Sequence, residues 1–190
     1  MGIANQLTMI RLVLSPVFVG VFMLGGTAGH LLALLVAIAF EVTDGLDGYF
    51  ARARRETSDF GKLFDPMTDS IARFSVFLCF LWGGYATLWM IALIFYRELS
   101  VAYCRVAAAR TGFVMAARLS GKLKAITQGI VIIAILLMIL WTGDDDPVAI
   151  EATKNTAIVL MSLVVLVTMW SGFDYVRSCI PILRNMLRKR

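Results

Sequence analysis

The chain has 190 residues, 59% of them hydrophobic and 16% charged, with a mean hydropathy of +0.81. So apolar a composition leaves too little polar surface for a water-soluble domain of this length. The net charge of +5 is gathered in a few connections, so it reads as a membrane-topology signal and gives no ground for a nucleic-acid partner.

A membrane span needs about 20 apolar residues. The uncharged runs are Leu12 to Phe40, Phe74 to Tyr96, Ala125 to Gly143 and Asn155 to Phe173. The first is too long for one span and is punctuated by Gly25-Gly26 and Gly29-His30, so it divides into two helices. The second is broken at Gly83-Gly84 and continues beyond Arg97-Glu98 to about Ala109, which again divides it. The expectation is six helices, at roughly 6–25, 30–54, 60–82, 86–109, 120–142 and 154–178. Residues 1–26 lack the basic start and the small-residue cleavage site of a signal peptide, so the first helix is expected to stay as a span.

The connections alternate in charge. The first, Gly25 to His30, has none; the second carries Arg52, Arg54, Arg55 and Lys62; the third, Gly83 to Thr87, has none. Arg110, Arg118, Lys122 and Lys124 follow, then Asp144, Asp145, Asp146 and Glu151 with a single Lys154. The tail ends on Arg184, Arg188, Lys189 and Arg190, a basic stretch suited to anionic headgroups. Because basic loops stay in the cytoplasm, both termini are expected inside. The fold class that follows is an all-α integral membrane protein of six transmembrane helices, forming one domain over residues 1–190.

Cys79, Cys104 and Cys179 are widely spaced in or beside apolar segments, a packing pattern and not a zinc or disulfide one. The single histidine, His30, lies in a short connection far from the acidic residues. Trp82, Tyr85, Trp89 and Trp141 fall near helix ends, where aromatic side chains mark the membrane interface.

The chemistry is concentrated between residues 44 and 69. Asp44, Asp47, Gly48, Ala51, Arg52, Gly61, Asp65 and Asp69 read D-x-x-D-G-x-x-A-R-x8-G-x-x-x-D-x-x-x-D. Spacings of three and four put Asp44 and Asp47 on one helix face, and Asp65 and Asp69 on another. A lone D-x-x-D pairs readily with nearby arginines such as Arg52, Arg54 or Arg55 at a helix end. Four carboxylates at a membrane boundary instead call for a cation between them, and Mg²⁺ and similar ions favour hard oxygen ligands together with substrate phosphates. Gly48 and Gly61 remove side chains beside the acids, and Arg52 is placed to hold a phosphate. Asp69, one turn deeper than Asp65, is placed to take a proton from an attacking hydroxyl.

This ruler, with every spacing intact, resembles the signature of the CDP-alcohol phosphatidyltransferases. The resemblance implies six membrane helices, a pair of divalent metal ions (Mg²⁺, with Mn²⁺ as the other candidate) and a homodimer. It assigns Asp44, Asp47, Asp65 and Asp69 to metal, with Asp69 also the general base. It assigns Gly48, Arg52, Ser58 and Gly61 to the cytidine diphosphate part of the donor. The opening run from Asn5 through Thr8 to Arg11 and Pro16 is similar to that of the bacterial branch that makes phosphatidylglycerophosphate, and puts Asn5 and Thr8 with the donor. Ala4 departs from that branch, which has proline there. Arg97-Glu98 with Arg105, Gly121 to Lys124 with Gln128, and Thr168 with Trp170-Ser171-Gly172 and Asp174-Tyr175 extend the likeness over nearly the whole chain.

The implied substrates are CDP-diacylglycerol and sn-glycerol 3-phosphate, in a bacterial plasma membrane with the active site towards the cytoplasm. Arg105, Arg110, Arg118 and Lys122, with Lys124 beside them, suit a phosphorylated acceptor over a neutral alcohol. Family members that transfer to inositol phosphate, phosphatidylglycerol or serine share the aspartate ruler and form the nearest alternative. An ion transporter would place its acids near the bilayer midplane, often within repeated or broken helices, and no repeat is visible here.

Overall fold

The computed structural model describes the backbone of residues 3–54, 59–110 and 118–188, with the side chains of residues 6, 8–46, 66–109 and 118–181. The described residues contain six helices and no strand. They are α1 (Ile3–Leu24), α2 (Gly26–Arg54), α3 (Asp59–Gly83), α4 (Leu88–Arg110), α5 (Leu119–Thr142) and α6 (Pro147–Arg188). Among the described residues three segments are long and apolar enough to cross a membrane: Gly26–Leu46, Leu119–Thr142 and Pro147–Pro181, with Thr8–Leu24 a shorter apolar helix. Large apolar side chains such as Val13, Leu166 and Phe173 point outward, as lipid-facing surfaces require.

Helix boundaries differ from the sequence expectation at two informative places. The first helix pair turns on Gly25 alone, and both Gly25 and Gly26 have positive φ. Gly29 then lies in the first turns of α2, where a Cβ would sit 2.8 Å from the Val21 carbonyl oxygen, so only glycine lets the helices approach there. α6 begins at Pro147 and not near 154. Asp146 caps it, its Oδ1 accepting hydrogen bonds from the Val148 and Ala149 amides at 2.9 and 3.3 Å, and Pro147 occupies the first helical position. At its other end α6 runs on through Pro181 to Arg188.

The chain forms two compact units. The first joins Met1–Ala86 with Ile132–Ala157, and the second joins Thr87–Val131 with Ile158–Arg190.

In the first unit, α1 buries Thr8, Arg11, Ser15, Phe18 and Phe22, a stripe at helical spacing. Phe18 packs on Phe22 and Phe40 with ring centroids 6.0 and 6.1 Å apart, and Phe22 meets Phe80 at 6.3 Å. This aromatic column ties α1 to both α2 and α3. Ala33 and Ala37 on α2 and Ala72 on α3 are buried small residues that permit close helix approach. His30 packs edge-on against Phe22, so it belongs to this core and not to the acidic region.

In the second unit, α4 buries Arg97, Val101, Cys104 and Ala108, and α6 buries Met161, Val164, Thr168, Ser171, Tyr175 and Cys179. Gln128 on α5 donates from Nε2 to Thr168 Oγ1 at 3.1 Å, an interhelical bond of the kind that holds membrane helices together. All three cysteines are buried free thiols, as expected of packing residues. Trp82, Trp89 and Trp141 are exposed near helix ends, consistent with an interfacial belt. Tyr85 is instead half-buried against Phe80, with ring centroids 6.4 Å apart. Burial, and then the Asp144 carboxylate, push its phenol above the ordinary tyrosine range.

Candidate active site

Arg11 stands on the same face of α1 as Phe18 and Phe22, and its side chain is only 2% exposed. It reaches carboxylates on two other helices. Its Nη1 donates to Asp44 Oδ1 of α2 at 3.3 Å and also to Asp69 Oδ1 of α3. Asp44 and Asp69 are therefore brought together by the tertiary fold, although 25 residues of sequence separate them. Arg73, one turn after Asp69, forms a second bridge. Its Nη1 lies 3.1 Å from Glu41 Oε1, its Nη2 donates to Glu41 Oε2 at 3.3 Å, and the same Nη2 is 3.9 Å from Asp44 Oδ2. These five charged residues line one cleft, with Ala37, Phe40 and Val76 supplying its apolar wall.

Three carboxylates face two guanidinium groups here. Two of the carboxylates present oxygens to a single nitrogen, so hard ligands from different helices already share the position of one cation. Both are hard oxygen donors of the kind a divalent ion accepts, and in this structure the position between them is taken by the Arg11 guanidinium. Among the described residues no group of three or more His, Cys, Asp or Glu stands together as a complete ligand set. Asp47 lies in α2 and Asp65 in α3, and their side chains lie outside the described residues. The same holds for the side chains of Asn5 in α1, Arg52 in α2 and Arg110 at the end of α4, while Gly48 and Gly61 fall within the helical backbone of α2 and α3. Ser58 lies outside the described residues altogether. Thr8 is buried on the Arg11 face of α1, one turn before it.

The basic residues of the second unit divide. Arg105 and Arg118 converge on Tyr175 of α6: Arg105 Nη2 and the Arg118 amide donate to its hydroxyl oxygen at 3.4 and 3.1 Å. Arg118 Nη1 also reaches Asp174 Oδ1 at 2.5 Å, and Ser120 Oγ donates to Asp174 Oδ2 at 2.6 Å. Lys122 is exposed on α5 and has no place in this cluster. Lys124 does, donating to Glu98 Oε1, which also accepts from Arg97 Nη1 at 3.0 Å. Arg97 Nη2 donates to Ser171 Oγ at 2.8 Å. A Cβ on Gly172 would sit 2.7 Å from Arg97 Cγ, so this glycine makes room for the arginine stem.

A family model described as CDP-alcohol phosphatidyltransferase matches residues 1–171. The chain belongs to the CDP-alcohol phosphatidyltransferase family. Its similarity to individual members is spread over most of their length. It is 31% identical to a CDP-diacylglycerol–glycerol-3-phosphate 3-phosphatidyltransferase of Treponema pallidum, over 85% of this chain and 76% of that protein. A protein of the same name from Bacillus subtilis is also 31% identical, over 72% of this chain and 77% of its own. A probable phosphatidylglycerophosphate synthase of Mycobacterium tuberculosis is 34% identical, over 92% of this chain and 80% of its own.

Arg11, Arg73 and Glu41 are members of the acidic cleft that the spacing argument does not select. Their signal in the sequence is charge within an otherwise apolar helix, which marks a functional position by default. Arg11 enters the sequence reading only as part of the opening run.

Proposed function

We propose that this CDP-alcohol phosphatidyltransferase moves the phosphatidyl group of CDP-diacylglycerol to sn-glycerol 3-phosphate, releasing CMP and leaving phosphatidylglycerophosphate in the membrane. The observation that carries the reading is the meeting of Asp44 and Asp69 at one cation position, from two helices of a chain that matches the family over residues 1–171. The names of the three relatives support the choice of acceptor. The setting we propose is a homodimer in a bacterial plasma membrane, six spans per chain, both termini and the active site towards the cytoplasm. The alternation of basic and non-basic connections supports that orientation.

In the reaction, the primary hydroxyl oxygen of the acceptor bonds to the phosphorus that bears diacylglycerol. The bond from that phosphorus to the CMP oxygen breaks, and the hydroxyl proton passes to a carboxylate oxygen of Asp69. Two divalent ions, Mg²⁺ or Mn²⁺, held by Asp44, Asp47, Asp65 and Asp69 would supply charge neutralisation at the diphosphate. Arg11 fixes the direction of the Asp69 and Asp44 carboxylates. Gly48 and Gly61 allow the donor close to the backbone, and Arg52, Ser58, Asn5 and Thr8 orient it. Arg105, Arg110 and Arg118 hold the acceptor's phosphate, and the exposed Lys122 adds a weaker, solvent-screened attraction. Catalysis then rests on positioning and on charge complementarity, without a covalent enzyme intermediate.

The test is CMP release by purified protein in detergent with CDP-diacylglycerol and Mg²⁺, offering glycerol 3-phosphate, inositol phosphate, serine or phosphatidylglycerol in parallel. Release confined to glycerol 3-phosphate, abolished by a chelator and restored by Mg²⁺ or Mn²⁺, is the expected result. Release with a different acceptor would overturn glycerol 3-phosphate as the acceptor; release unaffected by chelation would overturn the metal assignment.

A further inference from the structure

We infer that Tyr175 is a positioning residue that assembles separate basic side chains into one pocket for a phosphate dianion, and so sets selectivity for a phosphorylated acceptor. This rests on the acceptor reading above and names the residue that organises it. Tyr175 is 1% exposed in the middle of α6's buried face. Its ring lies beneath three guanidinium groups at once, with the Cζ atoms of Arg97, Arg105 and Arg118 at 5.7, 5.4 and 5.9 Å from the ring centroid. Its hydroxyl oxygen accepts from the Arg105 side chain and the Arg118 backbone. Gly121 opens the space that hydroxyl occupies, since a Cβ there would lie 3.0 Å from it.

Three guanidinium groups held within such a radius repel one another. An aromatic face lowers that cost through its quadrupole, but it does not neutralise charge. Glu98 and Asp174 supply two carboxylates against the four cations Arg97, Arg105, Arg118 and Lys124. Among the described residues the cluster therefore keeps an excess of positive charge, to which Arg177 beside Asp174 adds, and this suits the near-double negative charge of a phosphate monoester at neutral pH. A second sign of an unfilled role is Arg97 Nε. That donor is buried on a side chain 5% exposed and has no hydrogen-bond partner among the described residues. A buried donor without an acceptor is uncommon in a finished core. An anion near Tyr175 would give it one.

Tyr175→Phe tests the inference, because it keeps the ring and removes only the oxygen that gathers Arg105 and Arg118. Two readouts are needed: steady-state KM values for both substrates, and broadening of the ³¹P line of glycerol 3-phosphate on adding purified protein. The expected result is an acceptor KM raised about tenfold, as for one lost hydrogen bond to a charged group. The donor KM stays within twofold, kcat changes less than the acceptor KM, and the phosphorus line broadens only at correspondingly higher concentration. An unchanged acceptor KM and unchanged broadening overturn the inference. Equal rises in both KM values overturn it as well, because they mark a general structural role. If wild-type protein broadens the line in a Tyr175-dependent way yet releases no CMP with glycerol 3-phosphate, the anion pocket stands and the transfer reading falls. If wild-type protein does neither, both fall.

Discussion

The acidic cleft of the first unit and the basic cluster of the second are built from the same materials in opposite proportions. In the cleft, Asp44, Asp69 and Glu41 outnumber Arg11 and Arg73, and the arginines serve to hold carboxylates in place. In the cluster, Glu98 and Asp174 are outnumbered by Arg97, Arg105, Arg118 and Lys124, and the excess cations are gathered by an aromatic ring. Both use charges that are expensive inside a membrane protein unless they are paired. What differs is the sign left over. A surplus of carboxylate invites cations, and a surplus of guanidinium invites phosphate. One small helical protein thus carries two clusters of opposite surplus charge, as the proposed transfer would require.

The strongest way to break the comparison is Asp69→Asn, which leaves the shape of the cleft and removes the proposed proton acceptor. Transfer is expected to fall by about 10³-fold, within the range for losing a general base, while CDP-diacylglycerol still binds. Wild-type turnover in that variant would remove Asp69 from the base role. Arg11→Gln comes next. It leaves Asp44 and Asp69 facing each other without their shared cation. Taking away one partner of a fully buried ion pair costs about 3–5 kcal/mol. Here the two carboxylates are 40% and 34% exposed, so solvent screening brings the expected loss nearer ~1–2 kcal/mol. A lowered melting temperature in detergent, partly restored by Arg11→Lys, is the outcome that supports the bridge. An unchanged melting temperature would mean that Arg11 does not organise the cleft.

The smallest effect sharpens the basic side. Arg105→Ala should raise the acceptor KM about tenfold and Lys122→Ala about twofold, each more than the donor KM. The difference follows from Arg105 sitting on Tyr175 while Lys122 is exposed to solvent screening. Equal effects from both would argue that phosphate is drawn by diffuse charge and not by the gathered cluster. An unchanged acceptor KM in Lys122→Ala would take that residue out of acceptor binding.

Helix number and the placement of most connections were legible because glycine pairs and charge punctuate otherwise apolar runs. The start of α6 was not, since the acidic run Asp144 to Asp146 resembles a solvated loop until Asp146 is recognised as the cap before Pro147. Asp44 and Asp69 stood out from spacing alone. Their common partner did not, because Arg11 reaches them across 33 and 58 residues of sequence, and helical periodicity relates only near neighbours. Tyr175 was concealed for a related reason. An aromatic side chain in an apolar helix looks like core or interface until three arginines from other parts of the chain are found around it.

By itself, then, the sequence determined that this is a membrane protein of the CDP-alcohol phosphatidyltransferase type, and it singled out the acids proposed to carry its chemistry. The membrane character follows from composition, the acids from local spacing, and the family from the likeness of that whole ruler to a known signature. Only the tertiary structure decided which cation joins Asp44 to Asp69, which basic residues gather around Tyr175 and which are exposed. Those pairings depend on distances between helices, and a buried charge takes its partner from whichever neighbour the packing brings within reach.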